Sequence, residues 1–288
     1  MLPREPRSDS PDRLYEEIDL KKINPEKKRY RKISGKVYNI HMKKILDLIE
    51  EADCVASFTG AGISTLCGIP DFRGPQGLYK QPDAERIFDI DWFERDPSIY
   101  YRGCAELVYG LKNFKPGPVH IALTALEKAG KMAGVITQNI DMLHQKAGSS
   151  NVMEIHGSPL LHHCWKCGHE AGFESVCAQL ENGKTVAVCE KCGGPYKPDI
   201  TFFGESLPET AWSRAISLAS RADLMLVLGT SLTVNPASMI PQYTLHNGGK
   251  VVIVNAQPTP LDRLASAVFP DLKEFAEGIA AFAGSSDK

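Results

Sequence analysis

The chain has 288 residues, 43% of them hydrophobic and 24% charged, with a formal net charge of -2. That length suits one large domain, or a large one carrying a small companion, with ample apolar side chain for a buried core. The near-neutral balance supplies no global attraction to nucleic acid or anionic membrane, and no apolar run approaches the roughly 20 residues that span a bilayer.

Residues 1–36 are rich in Pro, Asp, Glu, Lys and Arg and include the basic run KKINPEKKRYRKISGK from Lys21 to Lys36. This composition reads as a solvated, flexible arm, with a nucleic-acid or targeting patch as the alternative. The absence of an apolar h-region and the acids Glu5, Asp9, Asp12, Glu16 and Glu17 argue against a mitochondrial-type presequence. The first regular element expected is a helix over about Tyr38 to Ala52, with Ile40, Ile45, Leu46, Leu48 and Ile49 near helical spacing.

Next comes CVASFTG, a short apolar run ending in glycine, as a buried strand does. GVITQN (Gly134 to Asn139), LMLVLGTS (Leu224 to Ser231) and KVVIVN (Lys250 to Asn255) repeat the pattern. Helical patterns such as VHIALTALEKAG (Val119 to Gly130) and ETAWSRAISLASRA (Glu209 to Ala222) lie between them. The alternation predicts an α/β class: a Rossmann-like parallel sheet with helices on both faces and its ligand at the strand ends.

The turn after the first strand reads FTGAGISTLCGIPDFRG, Phe58 to Gly74. Gly60 and Gly62 would let backbone N–H groups approach a phosphate, although a lone GxG also suits any tight turn. Asp71, Phe72 and Arg73 sit in a loop, where an acid, an aromatic face and a guanidinium can orient a reactive ligand or form an incidental ion pair. TQNID (Thr137 to Asp141) ends the next strand with two amides and an acid, suited to ribose hydroxyls and carboxamides. EIHG places His156 before a glycine. Such a histidine is either a packed residue or a base for a proton that moves near neutral pH.

From Leu161 to about Pro198 the composition changes. Cys164-x2-Cys167 and Cys189-x2-Cys192 are separated by 21 residues, two knuckles whose four thiolates would close a structural Zn2+ tetrahedron with no position open for catalysis. Disulfides are the alternative, disfavoured by the reducing cytoplasm that this cysteine usage fits best. The remaining cysteines, Cys54, Cys67, Cys104 and Cys177, lie among apolar neighbours and read as reduced thiols.

Taken in order, GAGIST…GIPDFRG, TQNIDMLH, EIHG, the CxxC pairs, FFGE, LGTSL and IVNAQ resemble the sirtuin family of NAD-dependent protein deacylases, over roughly Met42 to Phe282. The resemblance implies a sirtuin catalytic domain over 37–288. Its NAD-binding Rossmann-like part would be 37–160 and 199–288, with a zinc-ribbon module at 161–198. It places Gly60, Ala61, Gly62, Ser64 and Thr65 along the NAD pyrophosphate and ribose, and Phe72 and Arg73 in the cofactor loop. Gln138 and Asn139 would meet the nicotinamide ribose, and Ile140 and Asp141 the nicotinamide. Gly229, Thr230, Ser231, Asn255, Gln257 and Asp271 fall on the adenosine half.

The implied substrate is an acetylated lysine in a peptide or protein, added as a strand between Thr201, Phe203, Gly204 and Glu205 on one side and Val234 and Asn235 on the other. Thr201 replaces the valine common in the family. His156 is the implied general base toward a ribose hydroxyl, with Asn139 and Asp141 orienting a water and the nicotinamide. Sirtuins that prefer succinyl or malonyl groups carry a Tyr and an Arg three residues apart, where this chain has Cys104 and Leu107. Tyr101 and Arg102 are adjacent, about 100° apart on a helix, so acetyl is expected over succinyl. Mono-ADP-ribosyl transfer to protein is the nearest alternative activity, and a non-enzymatic NAD or zinc-ribbon adaptor the next.

Overall fold

The computed structural model describes residues 30–33, 36–71 and 84–284. Among the described residues the first regular element is an antiparallel hairpin, β1 (Tyr30–Ile33) with β2 (Lys36–Asn39), not a helix. The helix expected from Tyr38 begins at Ile40 and runs to Glu51. Aromatic and β-branched residues such as Tyr30, Ile33, Val37 and Tyr38 favour a pleated strand, and the surrounding charges hide that preference in the sequence. The expected arm therefore overlaps β1, and its residues 1–29 lie outside the described ones.

The large sheet contains β3 (Val55–Thr59), β4 (Gly134–Thr137), β5 (Val152–Glu154), β9 (Leu224–Leu228), β10 (Lys250–Val254) and β11 (Ala267–Phe269). All are parallel, in the spatial order β11-β10-β9-β3-β4-β5. Every residue of β3, β4 and β9 is buried, as expected of strands covered on both faces. Val55, Leu224, Leu226 and Val252 pack toward helices Ile40–Glu51, Pro118–Lys128 and Leu272–Ala283. The alternating residues Ala56, Met225, Val227 and Val251 pack toward helices Glu209–Arg221 and Ile240–His246.

A second antiparallel sheet is formed by β6 (Gly157–Cys164), β7 (Glu170–Gly172) and β8 (Tyr196–Ile200), in the order β7-β6-β8. Its strands reach beyond the compositional change at Leu161 and Pro198. An aromatic core supports it, in which Phe202 packs edge-on to Phe88 and Phe93, and Phe93 edge-on to Trp165. Among the described residues no helix is long and apolar enough to cross a membrane.

Candidate active site

Connections leave β3 toward β4 and return to β9 on its other side, so the sheet has a switch point between β3 and β9, where an α/β crevice forms. The crossing is tight. Gly60 N–H donates to the Leu228 carbonyl at 3.0 Å and Gly62 N–H to that of Gly229 at 2.8 Å. A Cβ on Gly62 would lie 2.8 Å from Gly229 Cα, and Gly229 itself has φ +61°. These glycines are thus required by backbone packing across the switch, beyond any approach to a phosphate.

Above them opens a cavity of about 910 Å³. Its walls include Gly60, Ala61, Gly62, Thr65, Gln138, Asn139, Ile140, His156, Gly229, Ser231, Asn255 and Gln257, together with Thr201, Phe203, Gly204, Glu205, Val234 and Asn235. Segments far apart in the chain thus meet at one place. Asp71 also lines it, while Phe72 and Arg73 lie outside the described residues.

Ser64, Asp141, Thr230 and Asp271 do not line the cavity. Ser64 and Asp141 lie behind it, 2% and 5% exposed. Ser64 Oγ donates to Asp141 Oδ2 at 2.6 Å, and the Leu143 amide donates to Oδ1 at 2.9 Å. Asn139 Nδ2 donates to Ser64 Oγ and to the Gly60 carbonyl, each at 3.2 Å. Both amide hydrogens of Asn139 are committed, so this side chain can serve a ligand only as an acceptor through Oδ1. Thr230 Oγ1 accepts from Gln138 Nε2 at 2.9 Å, tying β4 to β9. Asp271 caps the last helix, accepting from the amides of Lys273 and Glu274. Both amides bond its Oδ1.

His156 follows β5, and its Nδ1 is 2.9 Å from the Gln138 carbonyl. A carbonyl only accepts, so the proton sits on Nδ1 and the basic nitrogen is Nε2. Gly157, with φ +77°, turns the chain into β6; a Cβ there would lie 1.9 Å from the Asp199 carbonyl oxygen.

Sequence reasoning gave no role to the histidines beneath this floor. His144 Nε2 lies 3.0 Å from Thr59 Oγ1, its ring 4.7 Å from that of His120. Burial, aided by His120, drives the His144 pKa down to about 3, and burial lowers that of His120. Cys67 Sγ is 3.9 Å from His120 Nδ1, and burial followed by the Asp141 charge pushes its thiol up. The one available signal was the position of His144 three residues after Asp141, on the strand end's first helical turn.

The four knuckle cysteines converge, all Sγ atoms lying within 4.8 Å of one another. Cys164 and Cys192 are 3.3 Å apart, Cys167 and Cys192 3.3 Å, and Cys167 and Cys189 3.7 Å. A disulfide needs about 2.05 Å, whereas four thiolates about 2.3 Å from one metal ion stand roughly 3.8 Å apart. Each knuckle closes on a glycine of positive φ, Gly168 or Gly193, whose amide donates to the carbonyl of Cys164 or Cys189 at 2.9 Å. The donor set fits Zn2+.

Cys104 is buried and Leu107 partly so; neither lines the cavity. The Tyr101 hydroxyl donates to the Tyr196 carbonyl at 2.7 Å and Arg102 to Ser98 Oγ at 2.5 Å. Among the described residues these side chains form no clamp for an acidic acyl group.

The family model described as Sir2 family matches residues 60–236, from the first glycine of the turn to the proline after Asn235. The chain belongs to the Sir2 family. A Sir2 relative from Thermotoga maritima, an NAD-dependent protein deacetylase, is 45% identical over 239 residues, covering 83% of this chain and 96% of its own length. Two solved Sir2 chains superpose with TM-scores of 0.80 and 0.77. The first, with a deacetylated p53 peptide and 3'-O-acetyl ADP ribose, is 44% identical and is matched over 84% of this chain and 98% of its own. The second, with a p53 peptide and NAD+, is 43% identical, over 85% of this chain and 99% of its own.

Proposed function

We propose that this Sir2-family chain is an NAD-dependent protein lysine deacetylase that moves the acetyl group of an acetyl-lysine onto ADP-ribose and releases nicotinamide. The observation that carries the reading is the meeting, in one cavity, of the glycine turn, Asn139, a histidine with a basic Nε2, and the Thr201–Glu205 segment. The relatives' names and bound molecules support it.

NAD supplies a glycosidic bond whose breaking turns the ribose into the acceptor. Gly60, Ala61, Gly62 and Thr65 hold its phosphate and ribose region, with Gly229, Ser231, Asn255 and Gln257 at the adenosine half. Ser64, Asn139 and Asp141 act as one buried unit in which Asp141 fixes Ser64 and Ser64 fixes Asn139, presenting Oδ1 as an acceptor. Asp141 reaches the nicotinamide pocket through this unit, beside Ile140. His156 takes a proton from a ribose hydroxyl at Nε2, while the Gln138 carbonyl holds the imidazole tautomer and steadies the cation that forms. Thr201, Phe203, Gly204 and Glu205 flank the acyl-lysine peptide on one side and Val234 and Asn235 on the other, positioning the acetyl oxygen for attack. Zn2+ on the four cysteines is structural. Reduced cysteines throughout the chain support a cytoplasmic setting.

The deciding experiment is mass spectrometry of purified, zinc-loaded protein with NAD and matched acetylated and succinylated peptides. Nicotinamide and acetyl-ADP-ribose should appear together, faster from the acetylated peptide. Intact NAD would overturn the reading, and a faster succinyl reaction would overturn the acyl choice alone.

A further inference from the structure

Lys197 in β8 is 8% exposed, an unusual place for an ammonium. Its Nζ lies 2.8 Å from Glu205 Oε2, 2.9 Å from the Ile200 carbonyl and 3.2 Å from that of Pro198, and it sits 4.2 Å over the Phe202 ring. Every one of these partners falls between residues 198 and 205, the stretch that leaves the small sheet and becomes a wall of the cavity. The Glu205 oxygen that meets the ammonium also accepts the Phe202 amide at 2.8 Å. Burial pulls the Lys197 pKa down and the Glu205 carboxylate draws it back.

The consequence lies in which backbone groups are left over. The Ile200 carbonyl and Phe202 amide are turned inward to Lys197 and Glu205. The Thr201 amide is held by the His156 carbonyl at 2.9 Å, and Phe203 is bonded through its amide to Phe88 and through its carbonyl to Ile90. Among the described residues, the Thr201 carbonyl and the Gly204 amide have no protein partner, and both residues face the cavity. An extended peptide needs an acceptor and a donor of this kind on its neighbour.

We infer that Lys197 is a positioning residue for the acyl-lysine peptide: through Glu205 its buried ammonium folds residues 198–205 into the one shape that turns the Thr201 carbonyl and Gly204 amide outward. This rests on the reading of that segment as the peptide's flank. The device acts on peptide binding, leaving dinucleotide and zinc sites alone.

The test compares wild-type, Lys197→Met, Lys197→Arg and Glu205→Gln holoenzymes. Lys197→Met should raise the KM for acetylated peptide about tenfold or more, since the partner carboxylate loses its cation. kcat at saturating peptide, the KM for NAD and the zinc content should stay within about twofold, a resolution that ordinary kinetics reaches. Lys197→Arg should recover most of the lost affinity. Hydrogen exchange at the Phe202 amide should quicken in Lys197→Met and in Glu205→Gln. An unchanged peptide KM in folded Lys197→Met, or a parallel loss of kcat and both KM values, would overturn the inference. If Lys197→Met does not fold, Lys197→Gln carries the same criteria. Protection of residues 201–205 by saturating peptide in the wild type tests the flank reading separately; its absence sinks that reading, whatever the variants do.

Discussion

The amide of Thr201 donates to the carbonyl of His156 at 2.9 Å. Through this bond the first residue of the proposed peptide flank and the histidine of the cavity share one stretch of backbone ladder, continued by Gly157 opposite Ile200. The proposed base and substrate wall are therefore placed by the same strand pairing.

Replacing His156 with Tyr should lower turnover by about 10²-fold or more, the usual worth of a positioned general base. Zinc content and NAD binding should persist, because neither the cysteines nor the β3–β9 crossing involves the imidazole. Steady-state deacetylation alongside NAD calorimetry checks this; near-normal turnover would remove His156 from the mechanism.

Gly157→Ala should destabilise the protein by about 2 kcal/mol or more, since it forces a side chain into left-handed backbone and against Asp199. Gly172→Ala, where a Cβ would meet nothing within 4 Å, should change stability by no more than about 0.5 kcal/mol. Urea midpoints of the two variants give the comparison.

Acid should weaken the fold through His144. Its pKa is about 3 in the folded chain against an ordinary 6.5, so between these values the unfolded chain binds a proton that the native one refuses. Stability contributed by the neutral ring is fully present above about pH 6.5 and falls as pH drops toward 3, by up to about 1.4 kcal/mol per pH unit. Denaturation at pH 7 and pH 5 should show a smaller difference in His144→Gln than in the wild type. Equal differences would refute the assignment.

Zinc removal should lower activity without dismantling the large sheet. Chelation frees Cys164 at the end of β6 and Cys189 and Cys192 ahead of β8, and β8 runs directly into Thr201. Activity should fall at least about tenfold, because the metal contributes folding energy to its module. Far-UV circular dichroism should retain most of its signal; full retention of activity after zinc loss would contradict this account.

The four inner strands were legible because burial on both faces leaves uninterrupted apolar runs such as LMLVL. β5 (VME) and β11 (AVF) were not, being edge strands of three residues, too short for any period to register. The knuckle spacing announced the metal centre, and the order of motifs the family. Lys197 stayed hidden, since a lysine in sequence reads as a surface residue and only the turn at Gly204 brings Glu205 back to it. The capping role of Asp271 was hidden for a related reason: an acid near a strand end suits a ligand or a helix cap alike, and only the folded chain shows the amides of Lys273 and Glu274 upon it.

Gly157 directly follows His156 and admits no side chain at its contact with Asp199. The backbone step from the imidazole into the zinc-bearing sheet therefore has no slack, and the seat of one is the seat of the other.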